Sequence, residues 1–164
     1  MTQHETINDN FVLFYKGVFS QWYPSIFVHD NTKYVTVEHW MMAAKARLFH
    51  DDLTLKKILD TKSPKEAKDL GRQVKGFNPN VWDAKCFDIV VQGNYLKFSQ
   101  NSDMKEYLLG TGTKILVEAS PYDTIWGIGI GQDDERAFNP GLWRGKNLLG
   151  MSLMAVRSKF GIEK

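Results

Sequence analysis

Residues 36–49 run Thr-Val-Glu-His-Trp-Met-Met-Ala-Ala-Lys-Ala-Arg-Leu-Phe without a glycine or a proline. Ala, Met, Leu and Arg are strong helix formers and Thr36 is a good N-cap type, so the stretch is predicted as a helix that the rest of the chain must fit against. Two charges stand inside it. Glu38 and Lys45 are seven positions apart, which at 3.6 residues per turn returns them to nearly the same face, roughly 10 Å apart along the axis. Trp40, Met41, Met42, Ala43, Ala44, Leu48 and Phe49 leave little of the helix facing water, so at least one of the two charges is expected to be partly desolvated. Burial raises a carboxylic acid's pKa and lowers a lysine's, and such a pair suits proton transfer or imine chemistry. A plainer reading keeps Glu38 in the first turn for the helix dipole and lets Lys45 snorkel to water. Spacing alone leaves both open.

Length and charge narrow the field. A chain of 164 residues accommodates one domain with a sizeable core, read here as a single domain over 1–164 with a polar tail at 1–10. Lys and Arg number 21 against 19 Asp and Glu, which gives no electrostatic case for sequence-blind binding to nucleic acid. Cys86 is the single cysteine, so an internal disulfide and a cysteine-based zinc site are excluded. The opening Met1-Thr2-Gln3-His4-Glu5 lacks the apolar core of a signal peptide and no run reaches the length of a membrane span, so a cytoplasmic protein without a membrane partner is expected. With 5 Trp, 6 Tyr and 10 Phe, most rings must be core, and those beside Gly and Pro in loops are candidates to stack on a flat ligand.

Taken in order, residues 11–15 are a short aromatic-rich apolar run and are predicted as a buried strand. The loop 19–25 carries Phe19, Trp22 and Tyr23 among small polar groups. Runs at 26–29 and 33–35 flank Asp30-Asn31-Thr32, a hairpin that delivers the chain into the central helix and sets the loop 19–25 beside its start. Asp51 is the expected N-cap of a short helix through Leu53, Leu55, Ile58 and Leu59. Ser63-Pro64-Lys65-Glu66 opens another, with Ser as N-cap, Pro at the first position and Glu completing a capping box, running to about Val74 past a weak point at Gly71. Asn80 is the expected cap of the longest helix, an apolar stripe from Val81 to Phe98 with Trp82 in its first turn and Gly93 tolerated at a cost of about 1 kcal/mol.

A helix at 103–109 follows, then strands at 114–119 and 124–131. The second alternates Gly127, Gly129 and Gly131, which marks a bulge or a place where something, a ligand among the candidates, approaches the backbone closely. Residues 132–142 read as an exposed polar loop. The last helix, 148–160, opens beside Arg144, Lys146 and Asn147; its amides could take a phosphate, or Asn147 could cap it in the ordinary way. The class is α+β, predominantly helical, with a small antiparallel sheet.

Walker, Rossmann, GxSxG and HExxH signatures are absent. Histidines 4, 29, 39 and 50 show no metal-ligand spacing, so no metal is expected, and His39 reads as packed or hydrogen-bonded. What remains is a convergence of Glu38, Lys45, the loop 19–25, Trp82, Asp123, Trp126 and residues 144–147, all near the ends of elements. Rings, basic groups and carboxylates in that mix suit a planar base carrying a sugar phosphate.

Five ordered blocks then carry a resemblance: Phe19-Ser20-Gln21-Trp22-Tyr23-Pro24, Val37-Glu38-His39-Trp40-Met41-Met42-Ala43-Ala44-Lys45-Ala46, Leu70-Gly71-Arg72, Ser120-Pro121-Tyr122-Asp123-Thr124-Ile125-Trp126-Gly127-Ile128-Gly129 and Gly145-Lys146-Asn147-Leu148-Leu149-Gly150. Together they resemble the YbiA, or NADAR, family. The resemblance implies a single compact YbiA-like domain and a metal-independent hydrolase without a cofactor. Its reaction would be N-glycoside hydrolysis, either on phosphoribosylamino-pyrimidine intermediates of riboflavin synthesis or on ADP-ribosylated guanine, including that in nucleic acid. It implies Glu38 as the essential glutamate and Lys45 as the active-site lysine that forms an imine with the opened ribose. Ser20, Trp22, Arg72, Trp82, Asp123, Trp126, Gly127 and Asn147 would line the substrate site, Arg72 toward phosphate. Met42 and Ala44 stand where many members carry Gln, and Ile128 where some carry an acid. The chemistry agrees: a carboxylate stabilises positive charge on the sugar as the C–N bond breaks, and a neutral lysine can attack C1′. The alternative is a non-catalytic module that binds ADP-ribose or a related nucleotide.

Overall fold

A computed structural model describes residues 4–163. In chain order its strands and helices are β1 (Thr6–Ile7), β2 (Phe11–Phe14), β3 (Phe27–His29), β4 (Thr32–Tyr34), α1 (Val37–Leu48), α2 (Asp52–Asp60), α3 (Pro64–Gly71), α4 (Pro79–Gln100), α5 (Ser102–Leu109), β5 (Ile115–Glu118) and α6 (Leu148–Ile162). Two short 3₁₀ turns, Glu135–Phe138 and Pro140–Leu142, precede α6. The chain divides into two units, Gln21–Asn101 and the residues on either side of that segment. No helix among the described residues is long and apolar enough to cross a membrane.

In the Gln21–Asn101 unit, β3 and β4 form the expected antiparallel hairpin, with Val28 opposite Lys33. Asp30 and Asn31 turn it with φ of 48° and 60°, the doubly left-handed geometry whose twist matches the strands, and residue types that tolerate it. The hairpin leads into α1. Thr36 caps that helix by accepting the His39 N–H, a bond worth about 1 kcal/mol. Val37, Glu38, His39, Trp40, Met41, Met42, Ala43 and Ala46 are all buried, because α1 packs against α2, α3 and α4 and so has neighbours nearly all round. Trp40 shows how close the packing is. Its indole N–H donates to the Ile89 carbonyl at 2.8 Å, and a Cβ on Gly93 would lie 2.4 Å from its ring. Gly93 is therefore the notch that seats Trp40, more than a tolerated weakness in α4.

Helix boundaries follow local chemistry more closely than expected in some places and less in others. Asn78, not Asn80, caps α4, which lets Pro79 occupy the first helical position where its missing N–H costs nothing. Ser63 accepts the Glu66 N–H, but its own N–H donates to the Thr61 hydroxyl, so the return half of the capping box is taken by a different partner. Helix α3 ends at Gly71 rather than Val74. The Arg72 and Gln73 amides reach back three residues, to Asp69 and Leu70, tightening the last turn into 3₁₀ geometry.

In the other unit the sheet order is β1-β2-β5. β1 pairs antiparallel with β2, whereas β5 lies parallel to β2, with Val12 opposite Leu116. The expectation of an antiparallel sheet thus holds for two of the strand pairings and fails for this one. A parallel neighbour needs a long crossover, and the chain between β2 and β5 includes the whole Gln21–Asn101 segment. The polar tail expected at 1–10 is corrected as well: Thr6 and Ile7 are a strand, and buried Glu5 accepts the Tyr107 hydroxyl. Residues 1–3 of that tail lie outside the described residues. Leu13, Val117, Ala119, Ile128, Ile130 and Ala137 form the core, edged by Phe11, Phe138 and Trp143. The segment 132–142 is accordingly not a plain surface loop, since Ala137 is buried and its carbonyl accepts the Trp143 indole N–H at 2.8 Å. No strand forms at 124–131.

Candidate functional site

Glu38 stands in the first turn of α1, 6% exposed. Its amide donates to the Gln21 carbonyl at 3.1 Å, which ties the loop 19–25 to the helix start as the hairpin geometry predicts. Two turns on, Lys45 is half-buried and its ammonium lies 4.4 Å from the centre of the Phe77 ring and 5.8 Å from that of Trp82. Burial pushes the Lys45 pKa down, the positive charge of Arg72 pushes it further, and the Glu38 carboxylate opposes them. The acid and the amine therefore act on each other across one helix face. Glu38 keeps the first-turn position that suits the helix dipole but is almost wholly buried there, and Lys45, only half-buried, lays its amine over rings.

Trp82 is buried in the first turn of α4. Phe77, just ahead of that helix and 41% exposed, was not flagged by sequence; the signal for it was an aromatic in the Gly76-Phe77-Asn78-Pro79 break, a place read only as a turn. Phe49 packs edge-on against it at 5.4 Å. Arg72 closes α3 with an exposed guanidinium 3.6 Å from Asp69. One turn earlier, Lys68 lies 5.9 Å from the exposed Trp22 ring, a second basic group the sequence reading missed. His39 is spent structurally. Its Nε2 faces the Thr61 carbonyl at 2.9 Å and its Nδ1 faces the Thr36 hydroxyl at 2.8 Å. A carbonyl only accepts, so Nε2 carries the proton and Nδ1 accepts from Thr36, and burial holds the ring's pKa down in keeping with that neutral form.

Ser20, Asp123, Trp126, Gly127 and Asn147 belong to the other unit. The Ser20 amide closes a turn onto the Gly17 carbonyl. Asp123 accepts the amides of Ile125 and Trp126 at 2.9 and 2.8 Å, folding 120–129 into a bonded loop instead of a strand. Against it runs the segment 144–147, and what approaches these glycines is the chain itself: a Cβ on Gly145 would lie 2.2 Å from the Gly127 carbonyl oxygen. The amides of Lys146, Asn147, Leu148 and Leu149 donate to the carbonyls of Thr124, Gly127, Ile125 and Trp126. The start of α6 is thus already occupied, and the expectation that its amides bind phosphate is overturned.

Asn147 is corrected too. Its backbone is left-handed and its side chain makes no cap bond. The amide instead donates to the Leu116 carbonyl and accepts the Glu118 N–H, both at 2.9 Å, so it pins α6 to β5. A cavity of about 320 Å³ in this unit is lined by Glu5, Ile7, Val12, Tyr107 and Lys114 among others, and by Phe19 of the candidate loop 19–25, but not by Ser20, Asp123, Trp126, Gly127 or Asn147.

Residues 13–161 match the model of the NADAR domain family, and the chain belongs to that family. N-glycosidase R617 of Acanthamoeba polyphaga mimivirus is 47% identical over 147 residues, covering 87% of this chain and 86% of that protein. N-glycosidase YbiA of Escherichia coli is 30% identical over 135 residues, covering 82% and 76%. The NMR structure of E. coli YbiA matches this fold with a TM-score of 0.78 at 27% identity, over 98% of this chain and 90% of that one. The chloroplastic riboflavin biosynthesis protein PYRR of Zea mays is 34% identical over 172 residues, spanning 92% of this chain and 25% of that protein. Relatives within the family are thus named as N-glycosidases, which are hydrolases, and the fold is the α+β, mainly helical fold of YbiA.

Proposed function

We propose that this chain hydrolyses the C–N bond between a ribose and a base or amine. The observation that carries the reading is the Lys45 ammonium held against Phe77 and Trp82, with buried Glu38 on the same face of α1 and opposing the field of Arg72. A lysine with a depressed pKa supplies the neutral amine that imine chemistry needs at neutral pH. As the sugar ring opens, the Lys45 nitrogen bonds to C1′ and the C1′–N bond to the base breaks. Its electron pair leaves with the base nitrogen, which takes a proton, and water then hydrolyses the lysine imine to free sugar and free amine. Glu38 carries protons between these groups and stabilises the positive charge that develops at C1′.

Trp22 and Trp82 offer ring faces to the base, and Arg72 with Lys68 offers charge to phosphate. Two substrates fit that description, an aminopyrimidine ribosyl phosphate of riboflavin synthesis and ADP-ribosylated guanine; the likeness to PYRR supports the first. Incubating the protein with each and separating the products by chromatography should show the free base released from one of them. Borohydride should trap the sugar on Lys45 during turnover. Glu38→Gln should lower the rate by about 10²–10⁴-fold while substrate affinity stays within about tenfold. Binding of either compound without release of base would make the protein a nucleotide-binding module instead.

A further inference from the structure

Between Glu38 and Lys45 on α1, one turn from each, stands Met42. It is buried, and its thioether occupies the space that a side chain at residue 71 would need: a Cβ on Gly71 would lie 2.0 Å from the Met42 sulfur and 3.0 Å from its Cγ. Gly71 is the last residue of α3 and the next residue is Arg72, whose amide closes the helix onto Lys68 and Asp69. The register of the Arg72 side chain relative to α1 is therefore fixed one residue from the Met42 contact. We propose that Met42 and Gly71 are positioning residues: the thioether seated against the bare glycine sets how closely the Arg72 end of α3 lies beside Lys45. This rests on the reading of Lys45 as the reactive amine.

The charged groups that act on Lys45 are Glu38 on its own helix and Arg72 at the end of α3; the nearby segment before α4, and α4 itself, supply uncharged rings, Phe77 and Trp82. Moving α3 outward weakens the one cation in this set and leaves Glu38 in place. The proton then leaves Lys45 less readily.

The test is an NMR titration of isotope-labelled lysine side chains, with Lys45→Met used to assign the Lys45 signal. In Gly71→Ala the added methyl displaces the thioether or the helix, and the Lys45 midpoint should move to higher pH. Adding Met42→Ala to that variant removes the collision and should return the midpoint toward the wild-type value. In an Arg72→Gln background, where the cation is already gone, Gly71→Ala should move the midpoint little. A Gly71→Ala protein that melts lower yet titrates Lys45 as the wild type does overturns the proposal, and so does an undiminished shift in the Arg72→Gln background. Because the readout needs no turnover, failure of both substrates to release base would strike the proposed activity and leave this result standing.

Discussion

Two lysines of the Gln21–Asn101 unit sit against aromatic rings, Lys45 on α1 and Lys97 on α4, and both have depressed pKa values for the same first reason, burial. Lys97 is 0% exposed, its ammonium 4.9 Å from the Phe98 ring centre and 5.9 Å from that of Tyr23, and burial alone brings it to about 7. Ranked by depressed pKa, Lys97 would be the first candidate for an amine nucleophile. It has no route to a substrate. Lys45 is only half-buried, and its proton is also governed by two opposed charges, Arg72 and Glu38. The difference teaches that desolvation makes an amine neutral, whereas access and adjustable charge make it useful.

The largest test of that contrast is activity. Lys45→Met should cost at least about a hundredfold in kcat and abolish borohydride trapping, while Lys97→Met should cost far less and leave trapping intact, because its amine is sealed from substrate. A loss of comparable size at Lys97 would mean that the sealed amine takes part in the reaction and would break the comparison.

Next in size is stability, where the order reverses. Lys97 is fully buried and has interaction partners within the fold, so Lys97→Met leaves those partners unsatisfied and should destabilise the fold by about 1–3 kcal/mol, more than Lys45→Met does, measured by urea unfolding. In the unfolded chain a lysine keeps its proton to about pH 10, whereas in the fold Lys97 gives it up near 7. Between those values the unfolded state holds more protons, so the stability of the wild type should climb with pH; below about 7 both states are protonated and the full penalty stands. Lys97→Met should lose this part of the climb, so its deficit against the wild type is smallest at acid pH and widens toward about pH 10.

The same contrast explains which parts of the molecule were legible in the sequence. The α1 helix was legible because periodicity, capping and propensity agree over its whole length, and that periodicity put Glu38 and Lys45 on one face. The β3–β4 hairpin was legible because Asp30 and Asn31 are a local signal for a left-handed turn. Lys97 was not, since it lies beside Phe98 in an apolar stripe and nothing local says that the lysine itself faces inward. Phe77 was missed because a turn has no period from which direction can be read. The region after β5 misled for a different reason. Ile125, Ile128 and Ile130 look like strand residues, but Asp123 and the facing carbonyls satisfy the backbone of 144–149 and 125–129 across the loop, and that pairing is set by Gly145, some 20 residues away by the numbering. Asn147 looks like a cap in sequence and works as a clasp on β5 for the same long-range reason.

The smallest expected effect separates the two things that Phe77 does for Lys45. Its ring excludes water from the ammonium, which favours the neutral amine, and its face attracts the cation, which favours the protonated form. Phe77→Leu keeps most of the apolar cover and removes the attraction, worth about 0.5–1 kcal/mol at an exposed site. The amine should then lose its proton more readily, and on the ascending limb of the pH–rate profile kcat should rise by about two- to fivefold, the same energy written as a ratio. Movement of the limb toward alkaline pH would show instead that the ring acts mainly as a shield that leucine cannot replace. Phe98→Leu, made against the ring beside Lys97, should leave the profile where it is, because the proton on that amine is not on the path of the reaction.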